Sequence, residues 1–288
     1  MARAYVGTSG WSYDHWRHGV FYPEGLPARK WLAFLAQRFD TVELNSPFYR
    51  VPRRTSVETW SATVGPDFPF AVKLWRAFTH YNRLEDPNGR LPSVLATLEP
   101  FKPGQRGPLL LQLPPQMKAD VAKLDRFLRR LEPFGWDLCV EFRNATWLTP
   151  GVRRVLDDRA AALCVHDMQW AAPVTDPNDG ASFVYVRRHG PDSRYGGSYS
   201  DRQVRADAAA IEGWVAGGRR VYVYYNNDGQ GNAVRDGARL KAALGQGVPD
   251  VPGVAAAPVK RPAARRRAAP RPEAARARPR ARARPPSP

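Results

Sequence analysis

Glu43, Lys73, Glu141, Asp167 and His189 each fall at or near the end of a short apolar run, where a strand would hand its last side chain to a loop. Three carboxylates, one amine and one imidazole suffice for general acid–base work, because carboxylates gathered beside one another or against apolar walls have their pKa moved towards neutrality. Lys73 is read as the counter-charge of these acids, or as a nucleophilic amine if it is desolvated. A plainer reading of Glu43 and Lys73, on adjacent strands, is mutual neutralisation. The two readings differ in sign for stability: acids kept for chemistry cost the fold, whereas acids kept for ion pairing add to it.

Other residue types narrow the ligand. Arg50, Arg76, Arg143 and Arg187 each follow or end a strand, and guanidinium forks suit phosphate or carboxylate groups. Trp11, Trp16, Phe21, Tyr22, Phe48, Tyr49 and Trp147 crowd the segments after the first, second and fifth strands, as stacking surfaces or as lids packed on the core. Asn45, Gln112, Asn226 and Asn227 supply amide donors and acceptors. The expected partner is a small anionic organic molecule. Divalent-metal use of Glu43, Glu141, Asp167 and His189 is the alternative, but no His-x-x-x-His or similar spacing supports it, so no metal or cofactor is expected.

Positioning such residues requires many short parallel elements. Eight β-rich runs occur: AYVGT, DTVELN, FPFAVKL, PLLLQLP, DLCVEF, ALCVHD, SFVYVRR and RVYVYYN. Between them Leu32, Leu35, Ala36 and Phe39, and again Leu124, Phe127, Leu128 and Leu131, repeat at helical spacing. The stretch from Met168 to Ala181 is too rich in Pro and Asp for a helix. The pattern predicts an α/β fold, a (β/α)8 TIM-type barrel lacking the helix between strands six and seven. No G-x-G-x-x-G or P-loop favours the rival open sheet.

Strand alternation sharpens the expectation. Thr41, Glu43 and Asn45 share one face, as do Ala71 and Lys73, and Tyr185, Arg187 and His189. Gln112, Glu141, Asp167 and Asn226 are placed inward on the same logic, and His166, of opposite parity to Asp167, is expected against a helix. All the inward polar residues lie at C-terminal strand ends, where barrels of this class build their sites.

The segments GTSGWSYDHW, FYPEGLP, TVELNSPFYRVP, FAVKLWRAFTH, LLLQLPP, VEFRNATW, YVRRHG and VYVYYNN, in order from about Tyr5 to Leu244, resemble the YecE-like family, domain of unknown function 72. The resemblance implies a TIM-type barrel and a site at its mouth but supplies no reaction. It also implies His after EFR, where this chain has Asn144, so no proton transfer is expected from that position.

The chain has 288 residues and a formal charge of +17. Residues 1–250 are expected to form the barrel domain and 251–288 a disordered Ala/Pro/Arg-rich tail, because the latter contain no aromatic residue and eleven Lys or Arg against one Glu. The tail thus carries +10 of the charge, and the body is only mildly basic. Such a tail can bind nucleic acid non-specifically through phosphate neutralisation. Cys139 and Cys164 sit in apolar runs and suggest buried reduced thiols; with no membrane-length apolar run and no signal-peptide pattern, a cytoplasmic protein is expected. The expectation is an enzyme, a hydrolase, lyase or isomerase working by acid–base chemistry on an anionic substrate. The alternatives are a metal-dependent phosphoesterase or nuclease-like barrel, and a non-catalytic nucleic-acid-binding barrel.

Overall fold

The structure is a computed structural model that describes residues 2–192 and 195–254. Among these residues nine strands form one all-parallel sheet: β1 (Ala4–Ser9), β2 (Thr41–Leu44), β3 (Phe70–Lys73), β4 (Arg106–Gln112), β5 (Leu138–Glu141), β6 (Ala162–Leu163), β7 (Val165–His166), β8 (Phe183–Arg188) and β9 (Arg220–Tyr225). Their order is β6-β5-β4-β3-β2-β1-β9-β8-β7. The two ends of that order, β6 and β7, are halves of one run interrupted at Cys164, so the sheet closes on itself as an eight-run barrel, as expected. Between β7 and β8 the chain makes only a short 3-10 turn, Gln169–Ala171, and an antiparallel bridge from His166 to Val174. The helix missing from the sequence pattern is therefore missing from the fold.

Among the described residues eight α-helices complete the outer layer and rim: α1 (Trp31–Ala36), α2 (Ser46–Tyr49), α3 (Arg54–Thr63), α4 (Leu91–Ala96), α5 (Val121–Leu131), α6 (Pro150–Asp158), α7 (Asp201–Ala216) and α8 (Asn232–Ala243). Their starts are chemically marked. Asp120 and Thr149 accept hydrogen bonds from the Lys123 and Val152 amides, and Ser200 with Gln203 forms a reciprocal capping box.

Two apolar layers follow from strand alternation. Val6, Val42, Val72, Leu111, Val140, Val186 and Val223 face the helices and pack with residues such as Leu35, Phe127 and Leu128. Ala71, Leu110, Cys139, Ala162, Cys164, Tyr185, Tyr222 and Tyr224 fill the barrel, with both thiols free and buried. The interior is tight at β1: a Cβ on Gly7 would lie 2.1 Å from the Thr41 carbonyl oxygen.

Register corrects one strand. His166 pairs with Arg187 and Val165 with Val186. Partners in a parallel ladder point the same way, so His166 shares the inward row with Arg187 and Asp167 lies on the outward row. The expected parity of Asp167 and His166 is reversed, because alternation was counted back from a polar residue that stands beyond the end of the strand.

Val251 is 4% exposed and belongs to the core cluster, with Val254 packed against it. The folded body therefore runs past the expected boundary at residue 250. The rest of the expected tail, 255–288, lies outside the described residues. No helix among the described residues is long and apolar enough to cross a membrane.

Candidate functional site

The segment after β2 shows how the mouth is made. Asn45 precedes the one-turn helix α2, which carries Pro47 in its first turn and buries Phe48 beside the barrel. Phe48 presents its ring face to Lys73 at the end of β3, with Nζ 3.9 Å from the ring centroid. Above it opens a cavity of about 760 Å³ whose lining includes Trp11, Asn45, Tyr49, Lys73, Arg143, Arg187 and Asn226. These seven were expected at the site, and the structure brings them together at the C-terminal ends of the strands. Asn45 Oδ1 is buried there without a hydrogen-bond partner among the described residues.

Beneath the cavity is a closed ion-pair network centred on Arg187, whose side chain is 1% exposed. Arg187 Nε and Nη2 donate to Glu43 Oε2 and Oε1 at 3.0 and 2.8 Å, and Nη1 donates to Glu141 Oε2 at 2.5 Å and to His189 Nε2 at 3.0 Å. Ser9 and Tyr185 hydroxyls, both at 2.6 Å, complete the shell of Glu43. Gln112 Nε2 at 2.7 Å and Arg143 Nε at 2.9 Å complete that of Glu141. Burial is the largest single influence and pushes both carboxyls up, but Arg187 and the other charges and donors around them together outweigh it: Glu43 is held below the usual carboxylate range and Glu141, where Arg143 also acts, well below it. Both stay ionised as acceptors rather than acting as proton donors.

The network also fixes His189. A guanidinium can only donate, so Nε2 must be the lone-pair nitrogen and the proton sits on Nδ1, which faces Asp167 Oδ1 at 3.5 Å, long for a hydrogen bond. Burial, opposed by Asp167 and reinforced by Arg187, lowers the pKa of His189 to about 4, so the ring is neutral.

Lys73 differs from all of these. The counter-charge of Glu43 is Arg187, contrary to the pairing weighed from the sequence. Lys73 makes no ion pair or hydrogen bond among the described residues, and its close contact is the Phe48 ring. Burial and then the positive field of Arg187 lower its pKa to about 7. It is the amine, rather than a carboxylate, that titrates near neutrality at this mouth.

Several expected residues lie elsewhere. Asp167 accepts from the Tyr199 hydroxyl and the His189 amide, and borders a different cavity of about 350 Å³ between the barrel wall and α7, where the absent helix would have packed. Asn227 donates to Gly197 O and to Asp236 of α8. Arg76 stands over the Tyr49 and Tyr81 rings, and Arg50 is exposed; neither lines the cavity. Asn144 caps a turn, accepting from Thr146 N and donating to Pro115 O, which suits a structural rather than a proton-transfer role.

Ser12, Tyr13, Trp60, Tyr195 and Asp228 line the cavity without having been anticipated. Trp60 comes from α3 and meets Trp11 edge to face at 5.7 Å, a tertiary contact with no sequence signal. Ser9 could have been found, since it pairs in register with Glu43 at the end of β1.

The metal alternative does not fit this donor set. A divalent ion needs free carboxylate lone pairs, and the position between Glu43 and Glu141 is filled by the Arg187 cation. Among the described residues no group of three or more His, Cys, Asp or Glu could hold an ion.

Comparison with known proteins agrees with the motif resemblance. The family described as "Protein of unknown function DUF72" matches residues 5–262. The chain belongs to the DUF72 family. The UPF0759 protein YunF of Bacillus subtilis (strain 168) is 23% identical over 273 residues, covering 83% of this DUF72 chain and 94% of that protein. A DUF72 family protein of Thermotoga maritima MSB8 superposes with a TM-score of 0.73 at 27% identity, over 84% of this chain and 99% of that one. A DUF72 family protein of Enterococcus faecalis V583, at 16% identity, shares the fold with a TM-score of 0.70, over 84% of this chain and 96% of that one.

Proposed function

We propose that this DUF72 protein is an enzyme that binds a small organic anion at the C-terminal mouth of its barrel and acts on it by acid–base chemistry centred on Lys73. The observation that carries the reading is the Lys73 amine, without an ion pair or hydrogen bond among the described residues, in a cavity that Arg143 also lines, while both buried carboxylates beneath are already held by guanidinium groups. The cavity is of metabolite size, and its Trp11, Tyr13, Tyr49 and Trp60 walls can cover the apolar part of a ligand. Arg143 is the anion anchor. Its Nε is held by Glu141 and its Nη2 lies 3.5 Å from the Tyr195 hydroxyl, which leaves the Nη1 edge for a carboxylate or phosphate. Asn45 and Asn226 add amide contacts.

In this reading Glu43, Glu141, Gln112 and His189 position Arg187 and Arg143 rather than exchange protons with the substrate.

The test is a thermal-shift panel of pyruvate, lactate, glyoxylate, 3-phosphoglycerate and inorganic phosphate on the wild type and Arg143→Gln, followed by NMR detection of turnover for any stabilising anion. Saturating ligand at a hundredfold excess over Kd stabilises by about 2.7 kcal/mol, on the order of 5–10 °C for a domain of this size. The expected result is such a shift with at least one organic anion, abolished in Arg143→Gln. A panel without shifts, or shifts that survive the substitution, contradicts the reading.

A further inference from the structure

We propose that Lys73 condenses through Nζ with an aldehyde or ketone that carries a carboxylate or phosphate, so that the substrate class of this mouth is the anionic carbonyl compound. The inference rests on the reading of the mouth as an anion site and goes further by naming the bond that forms.

Three features of the geometry point to it. Lys73 Nζ has no carboxylate or hydroxyl partner among the described residues to share or relay its proton, and Lys73 lines the cavity. The acids that would ordinarily claim it, Glu43 and Glu141, accept four and three hydrogen bonds from other groups. The Phe48 face that holds Nζ at 3.9 Å suits an iminium cation as well as an ammonium, so the same contact serves reactant and adduct. An amine titrating at about 7 is about half unprotonated at neutral pH, on the order of a thousand times the share in an ordinary lysine.

The step balances without an added reactant. The Nζ lone pair forms a bond to the carbonyl carbon while the C=O π pair moves to oxygen. The two amine protons then leave with that oxygen as one water, giving the neutral imine C=Nζ, and one proton taken up from solvent converts it to the iminium that faces Phe48. Arg143 faces the same cavity and holds the anionic group, which explains why the carbonyl compound must be charged.

The full chain is incubated at pH 7 with sodium cyanoborohydride and, separately, glyoxylate, pyruvate, dihydroxyacetone phosphate or uncharged acetone, and the adduct is placed by peptide mass mapping. The expected result is reductive alkylation at Lys73 ahead of the other lysines and the N-terminal amine. An anionic carbonyl should label at least tenfold faster than acetone, and that preference should be lost in Arg143→Gln. Glyoxylate or pyruvate labelling best marks a carboxylate substrate, and dihydroxyacetone phosphate labelling best marks a phosphate. Adducts scattered over other amines with Lys73 unmodified, or equal labelling by acetone, overturns the inference. If lactate and pyruvate stabilise the wild type equally and Lys73 still does not label, the inference falls while the anion site stands. If no anion binds and nothing labels, both fall.

Discussion

Replacing Lys73 by Met should make the protein more stable, by an amount that depends on pH in a defined direction. The amine has a pKa of about 7 in the fold against 10.5 for an ordinary lysine. At about 1.4 kcal/mol per unit, the folded state bears a penalty of about 5 kcal/mol when Lys73 is protonated in both states. Because the folded pKa is lowered, that penalty is fully present below pH 7. It shrinks as pH rises from 7 to 10.5, where the unfolded chain holds a proton that the folded chain has released. Linkage gives about 5 kcal/mol in favour of the Met variant at pH 6 and about 2 kcal/mol at pH 9. Met keeps the contact with Phe48 and adds no polar atom, so packing changes little. Urea unfolding of both proteins at the two pH values measures the difference and its slope. A Met variant no more stable than wild type at pH 6, or an advantage that grows towards pH 9, would refute the reasoning by showing that Lys73 is a charged, paired residue.

The buried acids should behave in the opposite sense. Glu141→Gln leaves Arg187 short of a counter-charge and should cost about 3–5 kcal/mol in urea unfolding at neutral pH. Because the folded pKa of Glu141 is lowered, the stability it confers is present above the ordinary carboxylate pKa and lost as pH falls through the folded value, so the gap between variant and wild type should close in acid; a neutral substitution at pH 7 would contradict the network. Asp167→Asn should weaken the contacts with Tyr199 and His189 by about 1–2 kcal/mol yet leave the anion-induced thermal shift intact, since Asp167 faces the outer cavity; loss of that shift would place it back at the mouth. A chain ending at Val254 should melt with the full chain, whereas one ending at Asp250 loses buried Val251 and should be less stable by about 1.5–3 kcal/mol; equal melting of the two would deny Val251 its place in the core. Either truncation should remove most salt-dependent binding to generic DNA, measured by fluorescence anisotropy.

The barrel was legible because its signals are local. Eight apolar runs, two strongly periodic helices and a Pro- and Asp-rich gap each announce themselves within a few residues, and inward parity followed where the polar residue lay inside its strand, as in Thr41–Glu43 and Tyr185–Arg187. It failed at Asp167, where the run is broken at Cys164 and the polar residue lies past the last paired position. The site was legible as a set of residues but not as a set of pairings. Which cation neutralises Glu43 depends on reach across the barrel: Arg187, from a strand three places away in the sheet, spans to both Glu43 and Glu141 and thereby frees the adjacent Lys73. Nothing in the spacing of 43, 73 and 187 contains that information. Trp60 and Tyr195 were missed for the same reason, since each enters the mouth from a rim helix or loop.

Whether the amine at the mouth is half uncharged at neutral pH is read by trace acetylation of the full chain with acetic anhydride from pH 5 to 11, followed at the Lys73 peptide by mass spectrometry. Half-maximal reactivity is expected near pH 7. A half-maximum near 10.5, the value of an ordinary lysine, would contradict it.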